Sequence, residues 1–167
     1  MTATSPIVAT SRDHLRSLIR QEIARNGNAC NLNHIDVSSI TTFEMLFREF
    51  HDFNGDISQW NVGDARSMEA MFVGSKFNGN IAQWNTSRVE NMSGMFLRSQ
   101  FNGDISKWDT DSVLDMSNMF KRSVFNGNIS LWNVSKVDSM GGMFAESQFR
   151  GDISKWDVSG VQPIPRF

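Results

Sequence analysis

Apolar side chains recur in a fixed order along most of this chain. Trp60, Trp84, Trp108, Trp132 and Trp156 are each separated by 24 residues. Phe53, Phe77, Phe101, Phe125 and Phe149 keep the same step, as do Ile57, Ile81, Ile105, Ile129 and Ile153. The unit reads F-N-G-[DN]-I-[SA]-x-W-[ND]-[VT]-x-x-[AV]-x-x-M-x-x-M-F-x-x-S-x. Within it, Ala65, Met68, Met71 and Phe72 fall at i, i+3, i+6 and i+7, which predicts one or two turns of helix. The segment around Asp56-Ile57-Ser58 is long enough only for a brief strand.

Four copies are complete, at 53–76, 77–100, 101–124 and 125–148, and a partial copy runs over 149–161. A degenerate copy at 31–52 precedes them. A shift of 25 residues sets Val37 on Val62, Ile40 on Ala65, Phe43 on Met68 and Phe47 on Phe72, with Ile35 at the tryptophan position. One unit cannot cover its own apolar face, so neighbours must stack into a continuous core. At roughly 4.8 Å per step the array is a slab about 30 Å long. The expected fold class is a repeat solenoid, leucine-rich-repeat-like, with one short strand and one short helix per coil and an N-terminal capping helix.

The repeated polar residues have structural readings. Gly55, Gly79, Gly103, Gly127 and Gly151 supply either positive φ or a tight approach. Asn54, Asn78, Asn102 and Asn126 are expected to form a ladder, each amide bonding backbone in the next coil; Arg150 breaks it and marks an end. Asp56, Asn80, Asp104, Asn128 and Asp152 alternate, which spaces out like charges and weakens a calcium reading.

The two ends differ from the array. Residues 1–10 are expected to be flexible and 11–30 to carry the capping helix. Thr10 and Asp13 form a capping-box pattern and Asn26-Gly27 a stop signal. Leu15, Leu18, Ile19 and Ile23 line one face, with Arg12, Arg16, Arg20, Gln21 and Arg25 mostly elsewhere. That helix reads first as a lid over the first coil and second as a basic surface for a partner or membrane. In the tail at 162–167, Pro163 and Pro165 stop strand pairing. Ile164 and Phe167 are expected to fold back over the last coil, the alternative being an edge that joins two copies.

Composition narrows the function. Sixteen basic and eighteen acidic residues give a formal charge of −2 in a chain of 167, which argues against a nucleic-acid binder. The single Cys30 excludes an internal disulfide framework. The first ten residues lack a basic start and long apolar run, and no stretch approaches the roughly 18 apolar residues of a membrane span. A cytoplasmic protein without a membrane partner is expected.

Candidate chemistry is sparse. Cys30 and His34 are spaced C-x-x-x-H and His51 lies one coil on, a loose match to zinc ligation. Ser75, Ser99, Ser123 and Ser147 recur too regularly to be nucleophiles. No phosphate-binding loop of the G-x-x-x-x-G-K-[ST] type is present. No catalytic, cofactor or metal residue is assigned. Recognition is expected where copies differ: before each tryptophan, at Lys107 and Leu131 among others, and after each Met-Phe, at Leu97, Arg98, Lys121 and Arg122. An arginine beside an exposed aliphatic is a hot-spot composition.

The unit F-N-G-D-I-S-x-W-[ND]-V-S-x-V-x-x-M-x-x-M-F resembles the repeat of bacterial BspA-like leucine-rich-repeat proteins, formerly a domain of unknown function. The segment L-R-S-L-I-R-Q-E-I-A-R-N-G-N-A-C-N-L-N-H-I-D-V-S-S-I-T resembles the cap that often precedes such arrays. The likeness spans roughly residues 11–161. It implies stacked coils and, for members that are surface lipoproteins and adhesins, contact with other cells' proteins; it supplies no catalytic residues. The function expected is a non-enzymatic protein-binding scaffold, a bacterial or phage inhibitor, adaptor or effector acting by surface occlusion, as a monomer or as an end-to-end homodimer through the C-terminal coil. The alternative is a cell-surface adhesin or a fragment of one.

Overall fold

A computed structural model describes residues 5–163. Strand β1 (Ile7–Val8) is followed by helix α1 (Arg12–Asn26) and strand β2 (Ile35–Asp36). β1 pairs parallel with β2, Ile7 opposite Ile35 and Val8 opposite Asp36. Residues 7–9, expected to be flexible, are therefore tied to the array, and Ala9 is fully buried. The cap of α1 is Ser11 rather than Thr10: its hydroxyl accepts the His14 N–H at 3.1 Å. At the other end Gly27 takes φ +80° and donates to the Ile23 carbonyl, a positive φ that glycine adopts without a Cβ clash. Leu15 and Ile19 are buried against the first coil. The tail residues Ile164 and Phe167 lie outside the described residues.

Beyond β2, successive units pile up in register. Thr42, Ser67, Asn91, Asp115 and Ser139 form one row of parallel bridges. Among the described residues α1 is the only helix, so the short helix expected in each unit does not form. Linked i to i+3 turns take its place, three of them closing on inward-facing residues. In one unit Trp84 N–H bonds the Ile81 carbonyl, Val89 N–H that of Thr86, and Met95 N–H that of Met92. Each of these turns points its first and fourth residues inward, so the three-residue apolar spacing arises from turns joined corner to corner.

Inter-unit bonds explain why a helix loses. The N–H groups of Met68, Ala70, Phe72 and Gly74 bond the carbonyls of Asn91, Ser93, Met95 and Leu97 in the next unit at 2.8–3.0 Å. The alternate N–H groups, on Met71, Val73 and Ser75, close i to i+3 turns at 3.1–3.2 Å. Every donor along 70–75 is thus satisfied without helix. The alternation requires a left-handed residue at every fourth position: Ala70 (φ +49°) and Gly74 (+65°), then Gly94 (+61°) and Arg98 (+56°), then Asn118 (+55°) and Arg122 (+56°), then Gly142 (+67°) and Glu146 (+55°).

The core is a set of aromatic columns. Phe47, Phe72, Phe96, Phe120 and Phe144 stack at centroid separations of 5.3–5.8 Å. Phe53, Phe77, Phe101, Phe125 and Phe149 stack at 6.1–6.3 Å. Each tryptophan donates its indole N–H backward, Trp84 to Ile57 O at 3.2 Å, Trp108 to Ile81 O and Trp132 to Ile105 O at 3.0 Å. A tryptophan buried in this way keeps its polar edge satisfied.

The asparagine ladder forms. Asn78 N–H donates to Asn54 Oδ1, Asn102 N–H to Asn78 Oδ1 and Asn126 N–H to Asn102 Oδ1, at 2.8–2.9 Å. Arg150 N–H takes the last place on Asn126 Oδ1. In the alternating column Asp or Asn serves equally, because each Oδ1 accepts the N–H two residues on, as Asp56 does from Ser58 and Asn80 from Ala82. The repeated serines do likewise: Ser75, Ser99 and Ser123 are buried and accept the N–H of Phe77, Phe101 and Phe125.

Candidate functional site

The outward residues after each Met-Phe form one continuous patch. Arg98 N–H donates to the Lys121 carbonyl at 2.8 Å, which sets the two side by side on neighbouring units. Leu97 occupies the same column as Lys121 and is half-buried; Arg98 and Arg122 are exposed. Arg122 forks onto Glu146, Nε to Oε2 at 2.9 Å and Nη2 to Oε1 at 3.1 Å. Arg122, Lys121 and Arg98 together hold the Glu146 carboxyl below its ordinary range, the Arg122 hydrogen bond acting most strongly. Arg122 is therefore partly committed within the chain, and the freer cations of the patch are Arg98 and Lys121.

Lys107 and Leu131 belong to a different column, one residue before each tryptophan. No hydrogen bond or ion pair among the described residues joins them to the first patch. Leu131 is 80% exposed, far above the other outward aliphatics. The structure thus brings four of the six sequence-derived residues together and leaves two apart.

The loose zinc set is not assembled. Cys30 is buried, and burial first, with Glu22 second, pushes its thiol pKa up. His34 Nε2 lies 3.5 Å from Glu22, His51 Nε2 lies 3.5 Å from Asp52, and His14 Nδ1 meets Thr10. Among the described residues no group of three or more His, Cys, Asp or Glu is placed to hold a metal ion. Among them, too, no helix is long and apolar enough to cross a membrane.

A separate feature, a groove, was missed by sequence reasoning. Between α1 and the first coil lies a groove of about 600 Å³ lined by Arg12, Arg16, Arg20, Arg48, Glu44, Glu49 and Met45. The i, i+4, i+8 spacing of Arg12, Arg16 and Arg20 was the available signal, since it sets three arginines on one helical face. Arg12 Nη1 reaches the Glu44 carbonyl at 3.4 Å. Arg20 Nη2 bonds Glu49 at 2.7 Å and its guanidinium lies over the Phe50 ring at 5.9 Å.

No curated protein matches this sequence. No solved structure matches it either. A family model does, over residues 15–123 and again over 75–166, so that the two matches together run from α1 past the last copy. The chain belongs to the family described as Mycoplasma protein of unknown function, DUF285.

Proposed function

We propose that this chain is a leucine-rich-repeat-like solenoid of the BspA-like kind and that it works as a non-enzymatic scaffold binding one protein partner. The observation that carries this reading is the residue choice at the left-handed position after each Met-Phe. Gly74 occupies it in the first complete copy, yet Arg98, Arg122 and Glu146 follow at φ +55 to +56°. A side chain there costs about 1–2 kcal/mol relative to a relaxed backbone. Strain kept at an exposed position is a pointer to use. The repeated interior supports the same reading: Phe, Trp and Met are committed to the columns, so recognition falls to the outward residues that vary from copy to copy.

Mechanistically, a stack of satisfied turns presents Leu97, Arg98, Lys121 and Arg122 on a backbone that needs no ordering on binding. This favours affinity and suits an inhibitor, adaptor or effector of bacterial or phage setting that occludes a partner's surface. Lys107 and Leu131 offer a second, smaller contact. The monomer is favoured over an end-to-end homodimer through the C-terminal coil. Gln162 N–H already closes on the Asp138 carbonyl at 3.4 Å, so the chain covers part of its own C-terminal edge.

The test is capture of a protein partner by the purified chain, compared with Arg98→Gly and Lys121→Glu. Arg98→Gly removes the side chain and relaxes the backbone, so the fold is retained. A partner held by the native chain and lost by both variants is expected. Capture that is absent, or equal in all three, refutes the reading. The adhesin alternative rests on the BspA-like resemblance and predicts saturable binding to intact cells through the same residues.

A further inference from the structure

The groove between α1 and the first coil is left with unused cationic donors. Arg16 Nε is buried and has no hydrogen-bond partner; its nearest carboxylate oxygen, on Glu49, is 3.7 Å away and already bonds Arg20 at 2.7 Å. Arg48 has no acidic partner among the described residues, its guanidinium touching only Met45 Sδ at 3.6 Å. Arg12 is shared between the Glu44 carboxylate and Asp13, each at 3.7 Å, and Asp13 is 81% exposed on the solvent side. Four guanidinium groups thus line a space walled by two carboxylates, a surplus of two positive charges.

We propose that this groove binds a phosphate-class oxyanion. A phosphate dianion matches the surplus charge and supplies acceptors for the donors Arg16 and Arg48 leave unused. Guanidinium groups bond phosphate oxygens through paired N–H groups, and such charge-assisted bonds are about twice as strong as neutral ones. The space of about 600 Å³ exceeds a bare anion, so a phosphate monoester on a small organic carrier fits as well as the free ion. This site is separate from the scaffold patch at Arg98 and Lys121 and does not rest on that reading.

The experiment is titration calorimetry of the full chain at low ionic strength with inorganic phosphate in one arm and glycerol 3-phosphate in the other. One-to-one saturable binding is expected in at least one arm. Tighter binding of the ester assigns an organic phosphate; tighter binding of the ion assigns free phosphate. Arg48→Ala, an exposed substitution, is expected to weaken binding at least tenfold with unchanged tryptophan fluorescence. Glu44→Gln is expected to strengthen it severalfold, and Arg98→Ala, outside the groove, to leave it unchanged. No saturable binding in either arm overturns the proposal, as does equal binding by Arg48→Ala or equal loss in Arg98→Ala.

Discussion

Replacing Gly79 with alanine sets a methyl carbon 2.7 and 2.8 Å from Cε2 and Cζ of Phe77 and 3.2 Å from the Gly55 carbonyl oxygen. Ordinary carbon contacts begin near 3.5 Å, so the ring must retreat by about 0.8 Å. It has no room to do so. Phe77 is fully buried, with Phe53 at 6.1 Å on one side, Phe101 at 6.2 Å on the other and Phe72 at 4.6 Å. Overpacking of this kind costs about 1–3 kcal/mol, and the enclosed ring places the value near the upper end. In a domain of this length that lowers the melting temperature by about 4–12 °C. Urea unfolding followed by tryptophan fluorescence measures it. Gly141→Ala is the control: no atom lies within 4 Å of its added carbon, and its effect should stay within about 0.5 kcal/mol. In a Phe77→Leu background the Gly79→Ala cost should fall by about 1 kcal/mol or more, a coupling typical of touching residues. An equal cost in both backgrounds would show that the phenylalanine ring is not what excludes the methyl group.

Ala70→Gly should stabilise the protein by about 0.5–1 kcal/mol, the left-handed penalty removed less the entropy glycine adds to the unfolded chain; a lower urea midpoint would contradict this. Serine donors hold Asp56, Asp104, Asp152 and Asp157 below the usual carboxylate range. Folded values below the unfolded ones make their contribution present above about pH 4 and lost as pH falls through the folded values. A thermal-melt series should therefore decline below about pH 4, and Asp104→Asn, which keeps the turn as Asn80 and Asn128 do, should flatten the decline. Cys30, buried with a raised thiol pKa, should resist iodoacetamide at pH 8 in the native protein and react on unfolding; rapid native labelling would place the thiol at the surface.

The periodicity alone determined the register of the stack, the inward columns and the asparagine ladder. Each of these depends on identical residues meeting at a fixed separation, and a repeated sequence states that separation directly. The cap helix was legible from the Leu15 and Ile19 stripe, with its boundary displaced by one residue because Thr10 and Ser11 both have capping chemistry. The local form of each unit was not legible. Met68, Met71 and Phe72 have the spacing of a helix and equally that of linked turns. The choice between them rests on whether N–H groups bond within the unit or to the next one, and carbonyls 23 residues away made that choice. The tight approach at Gly79 and the arginine groove belong to the same class. A ring lying over a backbone, and side chains from α1 converging with Arg48, are set by packing between segments, so only the folded chain decides them.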